Sequence, residues 1–264
     1  MRNPTRRNRN IGTSSQGIGQ NNQLTIPSPE PGTLAFFERL GPYEKVTHVI
    51  NGHTFVFIIE ATSPHYRHAC AVADIIRMIE YVPVADYGCL RFIVFRQPKR
   101  KEDILSPVWG RLIYSYEFEN DYYPAIILEA FNERKHVKWK RSLTPDDQKE
   151  LERLKADGHP FREDKRSFTA PLLAANVRNT QLYRTLLHEF GHYVHYQEMV
   201  ERMYCNDEDY DKYWSRYKKL PSAIRETFAN QYADRLMTTL KQQQLIPFAP
   251  SVPESHMNGL VSYP

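Results

Sequence analysis

Leu187-His188-Glu189-Phe190-Gly191-His192 is the stretch on which the reading of this chain turns. An α-helix turns about 100° per residue, so His188 and His192, four apart, share one face. Both imidazoles can then reach one Zn²⁺, and Glu189, one step on from His188, falls beside a water on that metal. Zinc lowers the pKa of such a water to about 7, and a carboxylate can take its proton as it attacks a carbonyl. The flanking run is helix-periodic: Leu182, Leu186, Leu187, Phe190 and Val194 form an apolar stripe, and both histidines lie off its centre. No proline interrupts Asn176 to Met203, and Asn179 or Thr180 can cap a start. Gly191 lowers helix stability by roughly 1 kcal/mol relative to Ala, so its presence points to close approach of another backbone, a substrate or a packed strand. Since His and Glu pairs also decorate ordinary helix surfaces, the zinc reading needs a third ligand.

A second helix supplies one. Leu220-Pro221-Ser222 reads as a helix start with Ser222 as N-cap, and Ala223 to Met237 runs on without a breaker. Glu226, Asn230 and Asp234 fall on one polar stripe, Ile224, Phe228 and Leu236 serve as apolar anchors, and Ala229 and Ala233 permit close helix packing. The plain alternative for Glu226 is a carboxylate favoured by the helix dipole. A capping box does not explain it, because the third helical position after Ser222 is Arg225.

On these residues the chain resembles the gluzincin group of zincin metallopeptidases, in which H-E-x-x-H supplies two ligands and a Glu from a following helix the third. Locally it is similar to the ImmA/IrrE family, which carries H-E-x-G-H and then Glu-x-x-Ala-Asn-x-x-Ala; the matching residues are His188 to His192 and Glu226 to Ala233. The resemblance covers about the last third of the chain. It implies His188, His192 and Glu226 as ligands, Glu189 as catalytic base and Asn230 as a partner of a ligand. By their positions on the two helices, Asp234 is a further supporting group and His195 a supporting or oxyanion-stabilising one. Metzincins fit less well, since their Gly and third His positions hold His195 and Glu198. The thermolysin-type Asn-Glu-x-x-x-Asp pattern is also absent, because Arg225 precedes Glu226 and Asn230 stands in place of the Asp. His195, two turns on from His188, is otherwise read as a helix-surface histidine with a water partner. Tyr193 and Tyr196 read as packing or rim residues. Tyr217, on the approach to Glu226, is the candidate phenol for the oxyanion.

The rest of the chain sets the frame. Its 264 residues, 41% hydrophobic and 12% aromatic, suffice for one large domain with a packed core. The expected segments are a disordered basic arm over 1–33, a zincin-like domain over 34–245 and a tail over 246–264. In the arm, Arg2, Arg6, Arg7 and Arg9 precede the first acidic residue, Glu30. No apolar run approaches 18 residues, so no membrane span is expected. No apolar segment follows the arginines as in a secretory signal. Cys70, Cys89 and Cys205 read as buried reduced thiols, which points to the cytoplasm; the alternative is an exported effector without a classical signal peptide. Nothing in the sequence fixes an oligomeric state.

Between Thr33 and Phe131 strands and helices alternate. Thr33–Leu40 is expected as a short helix, and Asn51-Gly52 joins the strands Lys45–Ile50 and His53–Glu60 in a hairpin. His65–Tyr81 reads as a helix with Ala69, Ala73, Ile76 and Ile79 inward, and Leu90–Phe95, Arg111–Phe118 and Pro124–Phe131 as strands. A twisted sheet beside a helix, ahead of the motif helix, is the zincin order. By that resemblance Ala125-Ile126-Ile127-Leu128 can be the edge strand that holds substrate by β-augmentation, and Pro124 suits an edge; the alternative is an ordinary internal strand. The expected architecture is α+β and zincin-like: a sheet with packed helices, an active-site helix and a C-terminal helix carrying the third ligand.

Two basic clusters, Arg96, Lys99, Arg100 and Lys101, then Arg134, Lys135, Lys138, Lys140 and Arg141, accompany a net charge of +4. Asp103, Glu133, Asp146 and Asp147 dilute them, so nucleic acid is not the expected partner. The run Asp207-Glu208-Asp209 with Asp211 lacks the Gly and Glu of a calcium loop and reads as a solvated loop. The expected activity is hydrolysis of a peptide bond in a protein or peptide substrate, with Zn²⁺ as cofactor. The alternatives are a zinc-bearing or metal-free binding module and a regulator contacting nucleic acid; Glu189 favours the enzyme.

Overall fold

The structure is a computed structural model, and the residues described are 39–99, 108–204 and 209–251. Met1–Arg39 and Leu40–Pro264 are separate units, and the fold below belongs to the second. The expected arm over 1–33, most of the expected helix at 33–40, Arg100 and Lys101, Cys205, Asp207 and Glu208, and the tail beyond Ser251 lie outside the described residues.

The Asn51-Gly52 turn organises the first hairpin, β1 (Tyr43–Ile50) with β2 (His53–Glu60). Both turn residues have positive φ, 50° and 83°, which a two-residue hairpin of right-handed twist requires. Next come β3 (Tyr66–Arg67) and the helix α1 (Val72–Glu80). The chain returns through β4 (Phe92–Arg96), parallel to β2, then β5 (Gly110–Phe118) and β6 (Asp121–Glu129). The sheet is mixed, in the order β1-β2-β4-β6-β5. The parallel strands β2, β4 and β6 are near-continuous apolar runs because both faces are covered. Phe55, Phe57, Ile59, Ile93, Phe95, Ile126 and Leu128 face the helices, while Val56, Ile58, Phe92, Val94 and Ile127 pack on the other side with Tyr116 and Phe118. No helix among the described residues is long and apolar enough to cross a membrane.

This order corrects the expected edge. Ala125–Leu128 belongs to β6, which pairs with β4 on one side and β5 on the other. The edge is β5. Pro124 is tolerated inside the sheet because it sits where the β5–β6 register shifts, between Ile113 and Tyr116, and a bulge needs no ladder bond there. The helix expected from His65 begins only at Val72, and Ala73 is exposed; Asp74, Ile75, Met78 and Ile79 are its buried residues. Asp74 turns inward because Arg178 grips both its oxygens at 2.9 Å in the core. Arg96, expected in a basic patch, is wholly buried against Glu129 at 2.6 Å. Of the thiols, Cys70 is buried and Cys89 is exposed.

After β7 (Phe131–Asn132) comes a segment the sequence left unassigned. It forms β8 (His136–Lys140), α2 (Pro145–Ala156), β9 (Arg162–Glu163) and β10 (Ser167–Pro171), with a three-stranded sheet ordered β8-β10-β9. Thr144 and Asp147 cap α2 reciprocally, and Pro145 occupies its first turn. The motif region is one helical course: α3 (Ala174–Asn179), a wide turn at Thr180–Thr185, α4 (Leu186–Tyr196), a second wide turn at Gln197–Glu201, and α5 (Arg202–Tyr204). It starts from Leu173, not Asn179 or Thr180; the Thr180 hydroxyl donates instead to Asp157 at 2.8 Å. Then follow α6 (Tyr210–Lys219) and α7 (Ser222–Gln242). Pro221, in extended conformation, is the residue before α7, so Ser222 is its first helical residue and makes no cap bond. Ile224 is 49% exposed and anchors nothing.

Candidate metal centre

Leu186, Leu187, Phe190 and Val194 root α4 in the core and turn His188 and His192 to its open flank. Their rings stand 4.6 Å apart, edge to face. Helix α7 crosses beside them, and it can come close because position 191 has no side chain. A Cβ there would lie 2.8 Å from the Cα and carbonyl oxygen of Ala229. The backbone that Gly191 admits is therefore a helix, not a strand or substrate. That approach carries Glu226 to the imidazoles: His188 Nε2 is 3.3 Å from Oε2 and His192 Nε2 is 3.5 Å from Oε1. Hydrogen bonds from both rings hold the Glu226 carboxyl well below the usual carboxylate range.

One donor atom from each of the three residues falls within 4.8 Å of the others. Two imidazole nitrogens and one carboxylate oxygen form a donor set suited to Zn²⁺. Ligands about 2.0–2.1 Å from a tetrahedral ion stand roughly 3.3 Å apart, close to the contacts observed. The residues fit the ion.

Glu189 is 7% exposed and borders the same space. Burial raises its pKa; the neighbouring imidazoles and a hydrogen bond from the Leu112 backbone N–H oppose this without cancelling it. Leu112 lies on β5, so the edge strand itself positions this carboxylate. The cleft above the imidazoles is bordered by Gly110, Arg111, Leu112 and Tyr114 of β5 and by Arg225 of α7.

The remaining sequence candidates divide. Asn230 lines the space beside His188 and Glu226, whereas Asp234, two turns from Glu226, is exposed and borders neither cavity at the site. His195 is not a surface histidine. It is 6% exposed, stacked on Phe228 at 4.4 Å and edge-on to Tyr217 at 5.3 Å. Burial, then the nearby His192 and Arg225, lower its pKa. Tyr217 does not face the cleft either: it is fully buried, its oxygen lies 2.9 Å from that of Tyr114, and its O–H points at the His192 carbonyl at 3.5 Å. It buttresses α4 because aromatic neighbours Tyr114, Tyr196 and Trp214 enclose it. Tyr193 and Tyr196 are buried packing residues.

Sequence reasoning missed Leu112, Tyr114 and Arg225. The first two share a face of a strand that was recognised without being placed at the edge. Arg225 was noted only as a departure from another family's motif. Its Nε is buried with no hydrogen-bond partner among the described residues. Comparison of the chain with family models, curated proteins and solved structures finds no match.

Proposed function

We propose that this chain is a zinc-dependent peptidase of the gluzincin kind. The observation that carries this reading is the convergence of His188, His192 and Glu226 beside a buried, hydrogen-bonded Glu189. His188, His192 and Glu226 would hold the ion. When bound, Zn²⁺ supplies Lewis acidity and brings the pKa of water toward neutrality. Glu189 accepts the proton of the attacking water on its carboxylate and delivers it to the leaving amine. The Leu112 N–H keeps that carboxylate turned to the cleft. As the sheet edge that borders the cleft, β5 offers main-chain groups to an extended peptide, which takes the role first expected of Ala125–Leu128. Tyr114 is engaged with Tyr217, so Arg225 is the donor at hand for the carbonyl oxygen as it gains charge.

Metal analysis of the purified protein should find one zinc per chain, and peptide libraries should be cleaved in a manner abolished by a chelator and restored by added zinc. Protein that takes up no stoichiometric metal at neutral pH, or cleavage indifferent to chelation, would refute the reading.

A further inference from the structure

Two cavities flank the three donor atoms and share Gly110, His188, Glu189 and Glu226. The one away from Arg225 has a volume of about 420 Å³ and reaches beneath α2 and β8. Its lining is mixed: Trp109 just before β5, Trp139 and Val137 of β8, and Leu154 of α2 supply the apolar part, and charged side chains of α2 and the motif helix the rest. Its charges are mostly engaged. Arg184 donates through Nη1 to both oxygens of Glu150 at 2.9 Å and through Nε to Asp157 at 3.0 Å. Asp147 caps α2, accepting from the Thr144 N–H and hydroxyl. That leaves Arg153, half-buried on the inner side of α2, whose guanidinium has no hydrogen bond or ion pair among the described residues.

We propose that this cavity is a subsite for an acidic side chain of the bound peptide, with Arg153 as its counter-charge. The proposal rests on the reading that a peptide lies along β5. A carboxylate placed there meets the one cation of the cavity that no carboxylate already holds. Its methylenes lie against Trp109 and Trp139. Glu150 is held on both oxygens and Asp147 accepts both Thr144 bonds on Oδ2, so a basic side chain meets a carboxylate only at the exposed rim, on Asp147 Oδ1, or back at Glu189 and Glu226 beside the imidazoles. A wholly apolar side chain would cover Arg153 without pairing it, which is costly.

The test is cleavage of peptide libraries with single positions fixed as Glu, Gln, Phe or Lys, by the parent, Arg153→Gln and Arg153→Glu. A charge-assisted hydrogen bond predicts that the parent favours Glu over Gln at one position by about tenfold in kcat/KM. Arg153→Gln should erase that preference and Arg153→Glu should turn it toward Lys, with zinc content and melting temperature unchanged. A parent that does not distinguish Glu from Gln, or a preference that survives both substitutions, overturns the proposal while leaving peptidase activity standing. A second arm needs no turnover: anisotropy of dansylated octapeptides bearing one Glu, Gln or Lys, added to Glu189→Gln with and without Arg153→Glu. Glu-dependent binding lost on Arg153→Glu, where the parent cleaves nothing, supports the subsite and removes the peptidase reading. Binding indifferent to the charge overturns the subsite.

Discussion

Glu189 and Glu226 reach the same two imidazoles from different surroundings, and their conservative variants should fail differently. Glu226 is drawn to both rings and lies on their open side. Glu189 is buried and tied to the Leu112 N–H. An amide oxygen can still accept that N–H, so Glu189→Gln should keep the fold and one zinc per chain. It cannot take a proton from water at neutral pH, so kcat should fall by about 10²–10⁴-fold. Glu226→Gln removes an anionic ligand, and zinc content should fall with activity. Measuring metal and cleavage together separates the two; a Glu189→Gln protein as fast as the parent would end the assignment of this base. Arg225→Met should lower kcat more than it raises KM, by about 10²–10³-fold if it matches known oxyanion donors. Arg225→Lys should recover part of the loss. An effect on KM alone would mean that Arg225 binds substrate without stabilising the developing charge.

At the level of elements, the site depends on how closely α7 approaches α4. Gly191→Ala would set a methyl group 2.8 Å from the Ala229 backbone and 3.0 Å from the Tyr232 Cβ. Neither neighbour is a flexible side-chain tip, so α7 must move away, carrying Glu226 from the imidazoles. Overpacking of this kind typically destabilises by about 1–3 kcal/mol. The variant should melt earlier and bind zinc more weakly although every ligand remains; unchanged zinc affinity by competitive titration would show that the spacing is not critical. What the sequence made legible follows the range of the interactions involved. The pair of histidines four apart and the Asn51-Gly52 hairpin are local geometry, and both could be read directly. Glu226 was legible as the candidate third ligand because α7 repeats a local pattern, and the structure brings its carboxylate to both imidazoles. The edge strand was not, since β5 and β6 are each apolar enough to be either, and only pairing with β4 decides which lies inside. The Trp139 wall and Arg153 were not read because β8 and α2 are highly charged segments with few apolar residues, whose inner faces exist only once they pack.

Two histidines outside the candidate ligand set, the buried His159 and the half-buried His68, give the stability of the molecule as a whole a pH dependence. Thr180 donates its hydroxyl proton to Asp157, so His159 Nε2, 3.0 Å from that hydroxyl, must be the N–H donor. His68 Nε2 likewise donates to the Glu60 carbonyl at 2.8 Å. In both rings Nδ1 is buried with no partner among the described residues. A second proton would place an N–H against nothing that accepts it, and burial lowers both pKa values below the ordinary 6.5. Unfolded, the same rings protonate near 6.5. As pH falls below that value the unfolded chain binds protons that the fold refuses, so stability is intact above 6.5 and declines beneath it. The loss is at most about 1.4 kcal/mol per histidine for each pH unit. Asp74 acts in a separate window. Burial works to raise its pKa, but the hydrogen bonds from Arg178 prevail and lower it, so its contribution is present above the ordinary 3.8 and lost only as pH falls through the lower folded value. Melting temperatures from pH 7.5 to 5.0 should therefore fall for the parent, and fall less steeply for His68→Gln with His159→Gln. Each glutamine can keep the donated hydrogen bond without titrating. Zinc release in acid affects both proteins alike, so the difference in slope isolates these two rings; parallel slopes would mean that their burial does not govern the acid response.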